Sequence, residues 1–324
     1  MRAVFRLSVQ SFFLSHTLSL LAFGSRSTSA LTQVVLITGT SSGFGRLIAE
    51  TLARKKFHVF ASMRDVDTRN AVRARELEQL AKRESLILEV IELDVTQDAS
   101  VGQAVTEVLA KSRRIDVLIN NAGYGIMDLC ETVTVAQAQR QFDVNFFSVV
   151  RMNRAALPIM KRQGSGLLLY VSSGAGRLAI PGMGFYCASK FAMEALAETY
   201  RYEVASQGID SVILEPGPYA TPIADKLAKG EDQQRRAGYG EMAHVPWKVL
   251  EGIRSSRANP QEIADKVLQI IETPAGQRQL RYRVGRGGPG VERINALADE
   301  VQAQLLEAYG IAAAAKFKLP NERE

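Results

Sequence analysis

Tyr186 and Lys190 stand four residues apart, a spacing that puts both side chains on one face of a helix. A free phenol, with a pKa of about 10, is a poor base at neutral pH, but a nearby positive charge favours the phenolate. A lysine ammonium one turn away is such a charge. The pair could give a proton to a carbonyl oxygen or take one from an alcohol. Ser173, upstream, offers a hydroxyl that could bond the reacting oxygen and steady its developing charge. The bland alternative for Tyr186 and Lys190 is an ordinary amphipathic pair. Cys187 reads as a small packing residue, because no adjacent base would make it a nucleophile.

A second group lies near the start, in Thr38-Gly39-Thr40-Ser41-Ser42-Gly43-Phe44-Gly45. Glycines let a chain turn tightly, approach a ligand with its backbone and enter a helix at once. A diphosphate there would meet free N–H groups and the positive end of the helix dipole. Glycines that merely turn the chain are the alternative. The same string fits the G-x-S-x-G elbow of the α/β-hydrolases, with Ser41 as nucleophile and His244 downstream. It follows the first strand, however, and nothing around His244 marks it as a base. A later run, Gly285-Arg286-Gly287-Gly288-Pro289-Gly290, fits G-x-G-x-x-G, but no further strand follows, so it reads as a loop.

These residues need elements to hold them. Apolar runs at 34–37, 57–61, 86–93, 117–119, 167–171, 212–214 and 280–284 read as seven strands. Helical periods alternate with them, over 43–52, 135–161 and 185–205 among others. Asn259-Pro260 with Glu262 resembles an N-cap, an N1 proline and a capping-box acid for a helix to about 271. Val-, Ile- and Leu-rich strands alternating with helices imply one α/β domain, a doubly wound parallel sheet of Rossmann type covered on both faces. It should occupy residues 32–324. The irregular stretch at about 221–258 reads as a substrate lid.

With the elements in place, Asn120-Asn121-Ala122-Gly123 ends the fourth strand, Asn145 sits in the long helix, Ser173 ends the fifth strand, and Tyr186-Cys187-Ala188-Ser189-Lys190 opens the next helix. Pro216-Gly217 ends the sixth strand and Thr221 follows. In order and separation these motifs resemble the short-chain dehydrogenase/reductase family, strongly over 34–221. The Tyr-Cys-Ala-Ser-Lys-Phe-Ala string is most similar to hydroxysteroid and retinol dehydrogenases. The resemblance implies a catalytic set of Ser173, Tyr186, Lys190 and Asn145. Asn145 would hold a water joining Lys190 to solvent, and Lys190 would also hold the nicotinamide ribose. The cofactor would lie against Gly39, Ser41, Ser42, Gly43, Phe44, Gly45, Asp94, Val95, Asn121, Ala122, Gly123, Tyr186, Lys190, Pro216, Gly217 and Thr221. Asp94-Val95 would flank the adenine, and Asn121 would lie near its ribose.

NAD-preferring relatives carry an acid at the end of the second strand. Met63 stands there, followed by Arg64, which could pair with a 2′-phosphate, with Ser41 adding a contact. Asp65 is one place too late to be that acid, and a solvated loop charge is the alternative for Arg64. The expectation is an NADP(H)-dependent oxidoreductase interconverting a carbonyl and an alcohol. Its pocket walls should come from 174–185, Tyr219, Met242 and Trp247, making an apolar ketone, aldehyde or sterol-like alcohol the expected substrate class. A catalytically silent NADP-sensing protein of the same fold and the hydrolase are the rival classes.

The balance of 40 basic and 34 acidic residues, without a basic face, argues against nucleic acid as partner. Two cysteines and three scattered histidines exclude a Cys- or His-built metal centre, so no metal is expected. Residues 1–31, with Arg2, Arg6 and Arg26 and no acid, read as a leader: a signal or transit peptide, a start-site extension, or a route to a membrane. Cytoplasmic residence is favoured because NADPH is supplied there. A homodimer or homotetramer is implied by the family resemblance.

Overall fold

The computed structural model describes residues 32–222, 227–286 and 288–319. The expected leader, 1–31, lies outside them, as do 223–226 of the expected lid. Seven strands form one sheet in the order β3-β2-β1-β4-β5-β6-β7, parallel throughout. They are β1 Val34–Ile37, β2 His58–Met63, β3 Leu88–Glu92, β4 Val117–Asn120, β5 Gly166–Val171, β6 Ile209–Pro216 and β7 Arg281–Val284. The helices are α1 Gly43–Arg54, α2 Ala71–Glu84, α3 Asp98–Ser112, α4 Val135–Phe142, α5 Ser148–Gln163, α6 Gly184–Glu203, α7 Val245–Arg254, α8 Gln261–Glu272 and α9 Gly288–Ala308.

Strand side chains alternate between faces, and both faces here are buried. Val35 and Ile37 of β1 enter a core with Ile48, Leu52, Leu77, Ile263 and Val267, from α1, α2 and α8. Val34 and Leu36 enter a second core with Val101, Met152, Met160 and Met193, from α3, α5 and α6. The strand order reverses between β1 and β4. That opens a crevice beyond the carboxyl ends of the strands, where open sheets of this kind bind ligands. Among the described residues no helix is long and apolar enough to cross a membrane.

Five differences from the sequence pattern have physical causes. The stretch 135–161 is not one regular helix: α4 and α5 are joined by a π-helical turn, Asp143–Phe147, that turns Asn145 into the interior. β6 is longer than 212–214, because its polar residues Asp210 and Ser211 are buried with partners. Asp210 pairs with Arg201 and Arg278, each at 2.6 Å, and the Ser211 hydroxyl donates to the Ala197 carbonyl at 2.6 Å. Glu262 does not serve as a capping-box acid, since it accepts from the Tyr219 hydroxyl at 3.0 Å; Asn259 does cap, accepting from the Gln261 amide. Gly288, Pro289 and Gly290 of the glycine run open α9 rather than lying in a loop. α2 was hidden by charge, with only Ala74, Leu77, Leu80 and Ala81 turned inward along fourteen residues.

Candidate active site

The glycine turn leaves the carboxyl end of β1, and each of its glycines meets a different constraint. Gly39 has φ +74°, and a Cβ there would stand 2.9 Å from the Ala122 Cα. Gly45 packs so closely on the Gly39 carbonyl and the Asn121 amide that a Cβ would collide with both. Gly43 has φ +60° and open space beside it. The first turn of α1 carries no acidic residue, so no carboxylate offsets the positive end of its dipole. Ser41 and Ser42 are half-buried at this entrance. Phe44 turns away from the crevice and meets the Tyr219 ring edge-on at 5.4 Å.

Thr38, which the sequence pattern did not single out, organises the turn. Its buried hydroxyl accepts from the amides of Asn121 and Ala122, both at 3.0 Å. The Asn121 side-chain amide donates to the carbonyls of Thr38 and Gly39, at 2.8 and 3.0 Å. Asn121 therefore acts first as a brace between the ends of β1 and β4. The signal for Thr38 was present as a small hydroxyl residue closing an apolar strand beside a glycine.

Met63 is buried in the core, so a carboxylate at that position would be desolvated. Arg64 is half exposed, its Nε 3.7 Å from Asp65. The turn after β2 is held by Glu92, which accepts from the amides of Asp65 and Val66 at 2.9 Å each. Asp94 spends one oxygen on the Thr96 amide and hydroxyl, and Val95 is buried beside it. Gly217 donates its amide to the Val284 carbonyl, tying the end of β6 to β7. Thr221 is half-buried, its amide donating to the Tyr219 carbonyl.

Ser173 lies two residues past the end of β5, and its hydroxyl oxygen accepts from the Ala175 amide at 3.1 Å. Tyr186 and Lys190 rise from the first turns of α6, with the Lys190 nitrogen 5.8 Å from the Tyr186 ring centre. Lys190 is buried and donates to the Val171 carbonyl at 2.8 Å. Burial lowers its pKa to about 8, against the opposing charge of Glu194. Burial also pushes Tyr186 up to about 12, and a hydrogen bond with Ser173 pulls the other way. The chain alone thus does not lower the phenol as expected. Desolvation dominates, and the Lys190 ammonium is turned to the backbone of β5.

Asn145 is buried and fully engaged. Its Oδ1 accepts from the Tyr124 amide, and its Nδ2 donates to the Tyr124 carbonyl and the Ser189 hydroxyl, all at 3.0 Å. The π turn places it there, as such turns often do at functional sites. Tyr124 and Ser189 were missed because neither position carries a type-specific signal.

An apolar patch surrounds Tyr186. Met127, Ala175, Met183 and Cys187 are buried together, with Ile180, Leu227, Leu250 and Ile253 packed on them. Cys187 is thus a packing residue, its thiol pushed up by burial. Two expected wall residues lie elsewhere. Tyr219 belongs to the core under α1 and α8. Trp247 carries the Lys229 ammonium at 4.9 Å and the Arg236 guanidinium at 5.6 Å from its ring centre. Arg236 in turn pairs with buried Asp128, which also accepts from the Gly230 amide. The segment after residue 226 is therefore strapped to the loop after β4, and Ala228 bridges Ile126. Met242 is exposed. Ser41 has no basic partner: the one histidine–carboxylate contact among the described residues joins His58 to Glu89.

A family model described as short chain dehydrogenase matches residues 33–232. The chain is 33% identical over 239 residues to a 3-ketodihydrosphingosine reductase of Bacteroides thetaiotaomicron, covering 74% of this chain and 83% of that protein. It is 37% identical over 250 residues to retinol dehydrogenase 8 of Bos taurus, covering 74% and 78%. A solved short-chain dehydrogenase from Streptomyces avermitilis superposes with a TM-score of 0.68 at 30% identity, covering 88% of this chain and 99% of that one.

Proposed function

The chain belongs to the short-chain dehydrogenase family, and on that premise we propose that it is an NADP(H)-dependent enzyme interconverting an apolar carbonyl and its alcohol. The observation that carries this is the buried Tyr186 phenol, under the influence of Ser173 and with Lys190 one turn on, at the carboxyl edge of the sheet. The dinucleotide fits the glycine turn, where Gly43 leaves open space and the first turn of α1 carries no acid. When bound, it supplies or accepts the hydride. Tyr186 keeps its proton at neutral pH and is suited to give it to the carbonyl oxygen; the reverse reaction returns a proton to the same phenol. Ser173 orients the reacting oxygen, and Lys190 brings positive charge behind the phenol.

Arg64 supports NADP over NAD. It is a half-exposed guanidinium at the end of β2, and Met63 offers no acceptor to ribose hydroxyls. The apolar patch around Tyr186 supports an apolar substrate, and the two relatives are named for a ketodihydrosphingosine and for retinol. Phe147, on the π turn, and Phe191, on α6, are exposed, which supports a homo-oligomer built through these helices. Cytoplasmic residence, with its supply of NADPH, belongs to the same proposal.

The test is oxidation of NADPH and of NADH by the purified protein across a panel of carbonyls graded from small and polar to long and apolar. Turnover with NADPH and the apolar members is expected. Tight NADPH binding without turnover on any carbonyl would favour the silent sensor instead.

A further inference from the structure

We propose that Glu194 is a positioning residue of the active site, one that fixes Ser173 against Tyr186 and Lys190 and couples its own proton to the charge of Lys190. The inference rests on the site proposed above and adds a residue that touches neither substrate nor cofactor.

Glu194 lies on α6, one turn beyond Lys190, and is 1% exposed. Its Oε1 accepts from the Ser172 hydroxyl at 2.6 Å, and Ser172 is the neighbour of Ser173. The loop 174–176 folds so closely over the carboxyl that a Cβ on Gly176 would collide with it. One buried side chain therefore pins the helix that carries Tyr186 and Lys190 to the loop that carries Ser173. On its other side Glu194 meets β7, with Oε2 3.4 Å from the Arg281 Nε.

Arg281 is oversubscribed. Its side chain, 3% exposed, also faces Glu198 of α6, Glu215 of β6 and Asp299 of α9. Arg177, from the loop after Ser173, adds a second cation to the field at Glu194. Buried Glu194 and Glu215 and largely buried Glu198 thus meet one guanidinium, with half-exposed Asp299 at its outer end, while Arg177 and, one turn away, Lys190 act on Glu194. In a medium this poorly hydrated, excess negative charge is relieved by a carboxyl taking a proton. Glu194 has the placement to do so, and burial together with Glu215 raises its pKa to about 7. When it ionises it favours the Lys190 ammonium; when protonated it does not.

The decisive variant is Glu194→Gln, which keeps the shape and the acceptor for Ser172 while removing the charge. Lys190 should then lose its ammonium at lower pH. The alkaline limb of the kcat profile for carbonyl reduction should move down by about one pH unit, with KM unchanged. Ser172→Ala should move the limb the same way by less, since Glu194 would keep its proton to higher pH. Infrared difference spectra of the protein without substrate should carry a protonated-carboxyl band at mildly acid pH that Glu194→Gln abolishes. A variant profile that superposes on wild type, or a band that survives the substitution, would overturn the proposal. Failure of the underlying site shows separately, as undiminished turnover in Tyr186→Phe.

Discussion

The two halves of the sheet are built from different materials. Around β1 to β4 the buried polar groups, Asp116 apart, are uncharged, and the functional feature there, the glycine turn, is made of backbone and held by Thr38 and Asn121. Around β5 to β7 the interior holds Lys190, Glu194, Asp210, Glu215, Arg278 and Arg281, all buried. Holding a phosphate group needs shape, free N–H groups and a dipole, none of which requires a buried side-chain charge. Moving a proton needs ionisable groups whose affinities are set by a poorly hydrated surround. The half that would bind is therefore ordinary core with a turn at its edge, and the half that would react carries charge inside and depends on exact pairing to tolerate it.

The contrast is most exposed in stability. Asp210→Asn would leave Arg278 and Arg201 without their shared counter-charge and should cost about 3–5 kcal/mol. Ile119→Val, equally buried in β4, should cost about 0.5–1.5 kcal/mol. Chemical denaturation of both variants measures the difference, and equal losses would erase the distinction between the halves. Within the charged half, Tyr186→Phe keeps the ring and removes the proton donor, so turnover should fall by at least ~100-fold. Cofactor dissociation constants should stay near wild type, which separates proton transfer from binding.

On the apolar half, Arg64→Ala tests the guanidinium at the end of β2. A charge-assisted hydrogen bond contributes about 1.5–3 kcal/mol, and the half-exposed position puts Arg64 at the low end, about 10-fold weaker NADP binding with NAD unchanged. Titration of each cofactor checks this, and equal weakening of both would mark Arg64 as a surface charge. Met63→Asp is a poorer probe, because it would bury its carboxylate.

The smallest effect is a slope. Lys190 has its pKa lowered by burial to about 8 in the folded chain, against its ordinary value of 10.5 when unfolded. Between those values the unfolded state binds more protons, so this group makes stability rise with pH across about 8 to 10.5. Below pH 8 both states hold the proton and the group's contribution to the slope vanishes. Melting temperatures across that window should rise less in Lys190→Met than in wild type; identical slopes would mean that Lys190 is better hydrated than its burial implies.

Residue order by itself determined the sheet, its parallel sense and the main parts of the candidate site. Apolar runs such as 34–37 and 117–119, too short for helices and followed by turn residues, read as strands buried on both faces, and a strand, a glycine turn and a helix in succession have few ways to fold. The i, i+4 spacing put Tyr186 and Lys190 on one face before any contact was known. Tertiary structure alone decided what depends on neighbours distant in sequence. Tyr219 carries the same phenol as Tyr186, yet packing against Phe44 and a bond to Glu262 place it in the core. Trp247 became a platform for Lys229 and Arg236 because a strap anchored on Asp128 brought them together. The acidic and basic residues of α6, β6, β7 and α9 carry no mark of burial in the sequence, and only their convergence around Arg281 builds the network. The free energy of a charge depends on what surrounds it in three dimensions, and a sequence separation of 87 residues, as between Glu194 and Arg281, carries no local signal of that surround.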